Sequence, residues 1–136
     1  MRARCWLRLA ATLVEPQGGR LIALFVPRGD TEADARTVER ITALIDELKQ
    51  EGHPAELITH ASTSVARGIL DVAREEDADL LVLGLRHPER GQVQLGSVVE
   101  NIAAVAPCDM LIYRAARRPE FTRIVVPVEG GPHNRA

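Results

Sequence analysis

Apolar positions along the chain fall into two alternating patterns, short continuous runs and longer stretches with helical spacing. Residues 3 to 15 place Cys5, Leu9 and Leu13 four apart, which predicts a helix stopped by Gly18-Gly19. Leu21 to Val26 is a continuous apolar run closed by Pro27, and the Gly29-Asp30 turn leads to Thr31 as the expected N-cap of a long helix. Asp34 is its acidic partner three residues on, and Val38, Ile41, Ile45 and Leu48 form its apolar stripe up to Gly52. Residues 55 to 59 alternate imperfectly and fit an outer strand. Ser62 or Thr63 is expected to cap a helix on which Val65, Ile69, Val72 and Ala73 share a face. Leu80-Leu81-Val82-Leu83 is apolar on both faces and too short for a lone helix, as in a strand buried in a parallel sheet.

Gly84 ends that run, a polar loop follows, and Gly96-Ser97 opens a helix with Val98, Ile102 and Val105 on one face until Pro107. Met110 to Tyr113 is a further short strand, and Ile124-Val125-Val126-Pro127-Val128 is the last apolar run. Strands alternating with helices across short connections predict one α/β domain with a doubly wound parallel sheet. A strand, a glycine-bounded loop and a helix N-terminus also outline an anion site, because backbone N–H groups converge there.

The loop carries a resemblance. With its flanks it resembles the nucleotide loop of the universal stress protein family, which reads G-x-x-G, nine residues, then G-[ST]. Gly84 matches the first glycine and Gly96-Ser97 the closing pair, whereas His87 stands at the second glycine's position and Pro88 follows it. Gly84 and Gly96 are twelve apart where the family pattern has thirteen. The similarity covers residues 3–114, with ADLLVLG and GSVVENIAAVAPCDMLIY as its most specific parts.

The resemblance implies a five-stranded parallel sheet in the order 3-2-1-4-5. The family begins with a strand, and here the run RIVVPVEGGP near the C-terminus looks like it. Residues 122–128 are therefore expected to fill the first-strand slot at the middle of the sheet, as in a circular permutant or a segment of a tandem. Closure within the chain is tight. The linker 115–122 has eight residues, spanning at most about 28 Å. The return path runs about 17–20 Å along a strand, and then about 10 Å across two strand spacings. Exchange of the strand between two copies is the favoured reading. Pro127 falls at the strand's final residues, where a missing N–H matters little.

For ligands, the resemblance implies ATP, with Mg²⁺, on the loop. Gly84, Gly96 and Ser97 would meet the phosphates, Glu129 stands where family members carry an Asp, and Val26 ends the strand beside the adenine. Cationic Arg86, His87 and Arg90 offer partners for an anion, although a solvated polar loop accounts for them too. Against the site, Ser97-Val98-Val99-Glu100 reads as a capping box that needs no ligand. The altered spacing and Pro88 weaken a phosphate cradle. Weak nucleotide binding, or none, is the expectation.

Composition narrows the function classes. At 136 residues with 46% apolar and 26% charged residues, the chain is an ordinary globular domain. A net charge of −2 and four aromatic residues (one Trp, one Tyr, two Phe) speak against nucleic-acid binding. No apolar run reaches membrane-span length, and the first residues do not read as a signal peptide, which predicts a cytosolic location. Cys5 and Cys108 lie far apart and read as small apolar residues of a reducing compartment. His60 follows a strand with no partner evident in sequence, while His53 and His133 read as surface residues. No Ser–His–Asp order or metal-ligand spacing is present, so the sequence makes no case for an enzyme. The leading expectation is a non-enzymatic regulatory domain that dimerises, with the edge strand 109–113 as a contact. A regulatory domain of an amino-acid or cation transporter is the second. The third is a nucleotide-binding α/β enzyme of electron-transfer flavoprotein type, supported by topology alone.

Overall fold

The structure is a computed structural model that describes residues 2–84, 96–114 and 122–125. Helix α1 (Arg2–Val14) runs into a 3-10 turn (Glu15–Gln17), followed by β1 (Leu21–Phe25), α2 (Thr31–Gln50) and β2 (Ala55–Thr59). Then come α3 (Val65–Glu75), β3 (Leu80–Gly84), α4 (Ser97–Ala103) and β4 (Asp109–Tyr113).

The strands form two parallel ribbons, β1 with β2 and β3 with β4. Leu21 pairs with Ala55 at one end of the first ribbon, and Leu80 with Asp109 in the second. Helix α1 joins the ribbons by packing on both β1 and β3, while α2 covers β1 and β2. Between them lies the core: Ala10, Ala11, Leu21, Ala23, Ile45, Leu48 and Ala55, with Val82 of β3 packed against it. Alanines at four of these points let helix and strand backbones approach closely. Arg20 clasps Glu56 at 2.7 Å and Glu76 at 2.6 Å, tying the start of β1 to β2 and α3.

Helix ends depart from the sequence expectations by one or two residues. Asp30, not Thr31, caps α2, with its carboxylate accepting from Ala33 N at 3.1 Å. Asp34 instead reaches back to the turn, accepting from Gly29 N at 3.1 Å. Ser64, not Ser62 or Thr63, caps α3 by accepting from Arg67 N at 3.2 Å. Helix α2 ends where expected, since Gly52 takes a φ of 90° that a side chain would strain. On α4 the buried residues are Val99 and Ile102, and Val105 is 55% exposed. That helix ends at Ala103, so its 3.6-residue spacing does not extend to Val105.

Among the described residues, the expected five-stranded sheet stands as two parallel ribbons of two strands. Of the expected strand 122–128, residues 122–125 are exposed and outside any strand, with Ile124 75% and Val125 90% exposed. Residues 126–128 lie outside the described residues.

Candidate functional site

Of the residues singled out from sequence, Val26 follows β1, Gly84 ends β3, and Gly96 and Ser97 open α4. His87 and Glu129 lie outside the described residues.

Gly84 is the last residue of β3, and the indole of Trp6 on α1 covers it. A Cβ at this position would overlap the Trp6 ring atoms Cζ2, Cη2 and Cε2. Packing alone therefore accounts for the glycine. A phosphate loop uses glycine for a different purpose, to bring bare backbone close to the ligand. Trp6 Nε1 is buried at this junction with no hydrogen-bond partner among the described residues, a state that costs free energy unless an acceptor arrives.

Val26 follows β1 and is only 8% exposed. A Cβ at Gly68 of α3 would stand 3.0 Å from Val26 Cγ2 and 3.1 Å from Ser62 Cβ. This glycine lets α3 close onto the strand end, so the Val26 side chain serves packing there.

Gly96 and Ser97 are exposed, and Gly96 is the N-cap of α4 without a side-chain cap. The expected capping box does not form: Glu100 is joined to Gly96 through its backbone N–H, at 3.2 Å from Gly96 O. Apart from its chain neighbours and the helix backbone, no atom of the described residues lies within 4 Å of the position a Gly96 Cβ would take. Two turns of helix supply a weak dipole, since α4 has seven residues. The described residues thus offer an open helix start but no open glycine at Gly84. The loop 85–95, on which the resemblance would place the phosphate of ATP with Mg²⁺, lies outside the described residues.

One pair was not visible in sequence. His60 Nε2 lies 4.0 Å from Asp71 Oδ2, and the same carboxylate has Arg67 and Arg74 at 3.9 Å. His60 also donates its backbone N–H to Phe25 O at 3.0 Å, fixing it beside the end of β1. Two exposed arginines and a histidine held loosely around one carboxylate form a solvated cluster rather than an acid–base pair held for catalysis. Burial, and then Asp109, push the Cys108 thiol above its ordinary value, which keeps it a thiol rather than a nucleophilic thiolate. His53 is half-buried, not fully on the surface. No group of three metal-ligating side chains occurs among the described residues. Nor is any helix among them long and apolar enough to cross a membrane.

Comparison with known proteins supplies the family. The model of the Universal stress protein family matches residues 6–114. A universal stress protein from Archaeoglobus fulgidus superposes with a TM-score of 0.72 at 23% identity, covering 82% of this chain and 88% of that one. The A. fulgidus universal stress protein in complex with dAMP superposes at 0.68 with 22% identity, covering 82% and 86%. The Na(+)/H(+) antiporter NhaS5 of Synechocystis is 28% identical over 137 residues, covering 90% of this chain and 19% of the antiporter. The chain thus spans about a fifth of that curated relative's length.

Proposed function

The chain belongs to the universal stress protein family, and from that premise we propose that it is a cytosolic, non-enzymatic regulatory domain. In this reading it dimerises, binds nucleotide weakly or not at all, and acts through contacts with other protein. The observation that carries the reading is the Trp6 indole seated on Gly84. Where a phosphate loop needs open backbone, this chain has a side chain wedged between helix and strand. The loop spacing one residue short of the family pattern, and Pro88 in place of an N–H donor, act in the same direction.

Two relatives favour more specific readings. The similarity to a sodium/proton antiporter over 90% of this chain supports a role as the soluble regulatory domain of a cation transporter, joined to it or docked on it. The A. fulgidus protein in complex with dAMP supports the opposite view of the site, in which Gly96 and Ser97 hold phosphate and Val26 backs the base.

Calorimetric titration with ATP and Mg²⁺, repeated on Gly96→Val, separates them. The proposal expects no heat and no thermal shift at millimolar nucleotide. Micromolar binding that is lost in Gly96→Val would overturn it and place phosphate at the start of α4.

A further inference from the structure

Helix α1 is fastened unevenly along its length. Its second half carries Ala10 and Ala11, 6% and 1% exposed, in the core shared with Leu21 and Ala23 of β1. Its first half has no buried residue from Arg4 to Leu9. Leu7 reaches the core only as a partly buried neighbour, beside a shallow crevice to α2 that Arg4, Leu44 and Glu47 also line.

Two kinds of contact hold the first half down. One is a pair of ion contacts to α2, Arg4 to Glu47 at 2.7 Å and Arg8 to Glu51 at 2.6 Å. All four side chains are between 39% and 51% exposed, so each contact contributes little and weakens as salt screens it. The other is the Trp6 indole on Gly84. That contact leaves Trp6 Nε1 buried without an acceptor among the described residues, which lowers its net worth.

The helix itself adds little at this end. Its first turn has no acidic residue and does include Arg4, a cation where the helix dipole favours an anion. Segments with few buried apolar contacts are the ones that open locally while the rest of a domain stays folded. Residues 4–8 answer that description, and residues 10–11 do not.

Resting on the reading that Trp6 closes the Gly84 position, we propose that the first two turns of α1 are a salt-sensitive strap. It opens as a unit about Leu9-Ala10, and the Arg4–Glu47 and Arg8–Glu51 pairs are its latch. Closed, the strap keeps the indole on β3. Open, it lifts the indole away and bares the backbone of Gly84, while Ala10 and Ala11 stay packed. Occlusion of the strand end is then a regulated state, set by the ionic strength around the latch.

Acrylamide quenching of Trp6, the chain's single tryptophan, tests this on the full chain without nucleotide. The titration runs from low salt to about 0.5 M NaCl, where screening reaches only a few ångströms. N-acetyltryptophanamide in the same buffers corrects for salt effects on the quencher. The expected result is a quenching constant that rises at least twofold with salt, while the midpoint of urea unfolding hardly moves. The double variant Glu47→Gln, Glu51→Gln should quench at the higher level in low salt and lose its response to added salt. Equal quenching at every salt concentration and in the double variant would overturn the strap. Quenching that rises only in step with a falling urea midpoint would overturn it too, because the opening would then be global. Micromolar ATP binding by the wild type would defeat the nucleotide reading and leave these quenching results as they stand, so the two proposals fail separately.

Discussion

The ribbons β1–β2 and β3–β4 are matched in length, direction and regular parallel pairing, yet they differ in burial. In the first, Leu21, Ala23 and Ala55 are 8%, 8% and 7% exposed, under α1 and α2. In the second, Leu80 is 40% and Ile112 37% exposed, and Tyr113 alone is buried. Hydrogen-bond pairing therefore does not by itself bury a strand. A parallel strand is enclosed by helices on its faces and by neighbours in its plane, and among the described residues β3 has a single strand neighbour, β4.

The largest effect should come from the enclosed half. Leu48 is 2% exposed, and Leu48→Ala should cost about 2–5 kcal/mol. Leu81→Ala in the open half, read by the same chemical denaturation, should cost less, because Leu81 is only partly buried. Equal losses would erase the distinction between the halves.

Next comes the joint between them. Gly84→Ala forces the Trp6 indole off β3 and should cost about 1–3 kcal/mol. Trp6 is the chain's single tryptophan, so its emission maximum should move with the substitution. An unchanged spectrum would remove Trp6 from the joint. Gly68→Ala is milder. A methyl at 3.0 Å from Val26 opposes a gain in helix propensity, leaving a net loss below about 1 kcal/mol. Thermal melts of the purified variant would read this, and a gain in stability would mean that α3 has room to shift.

The smallest effect concerns the helix clasp over the enclosed half. Arg8 pairs with both Glu51 oxygens, at 2.6 and 2.9 Å, and this hydrogen bond lowers the Glu51 pKa from its ordinary 4.5. A lowered folded value means that the contribution is complete above pH 4.5 and fades as the pH falls through 4.5 towards the folded value. Glu51 is exposed, so Arg8→Ala should lower the melting temperature only slightly at neutral pH, and by less in high salt. A large loss, or one persisting below the titration range, would contradict the assignment.

Much of the fold was legible as hydrophobic pattern. The strand at 55–59 has the expected bounds, and the other three differ by one residue, because continuous apolar runs bounded by Gly or Pro leave little choice. Caps were less legible. Asp30 and Thr31 are both good caps, as are Ser62, Thr63 and Ser64, and only the backbone path decides whose oxygen reaches an N–H. The face of α4 was misjudged because nothing before Pro107 in sequence marks the helix end at Ala103. At the candidate site, Gly84, Gly96 and Ser97 were found by family pattern, but the cover over Gly84 was not. Trp6 is 78 residues away in sequence, reading as one more apolar position of α1, and only the packing of α1 across β3 brings it there. His60 and Asp71 likewise meet only through the packing of α3.

The most direct test of this difference in burial is amide exchange at β1 and β3, followed by mass spectrometry. The account predicts stronger protection at residues 21–25, which lie under α1 and α2, than at residues 80–84. Full and equal protection of both strands would contradict it.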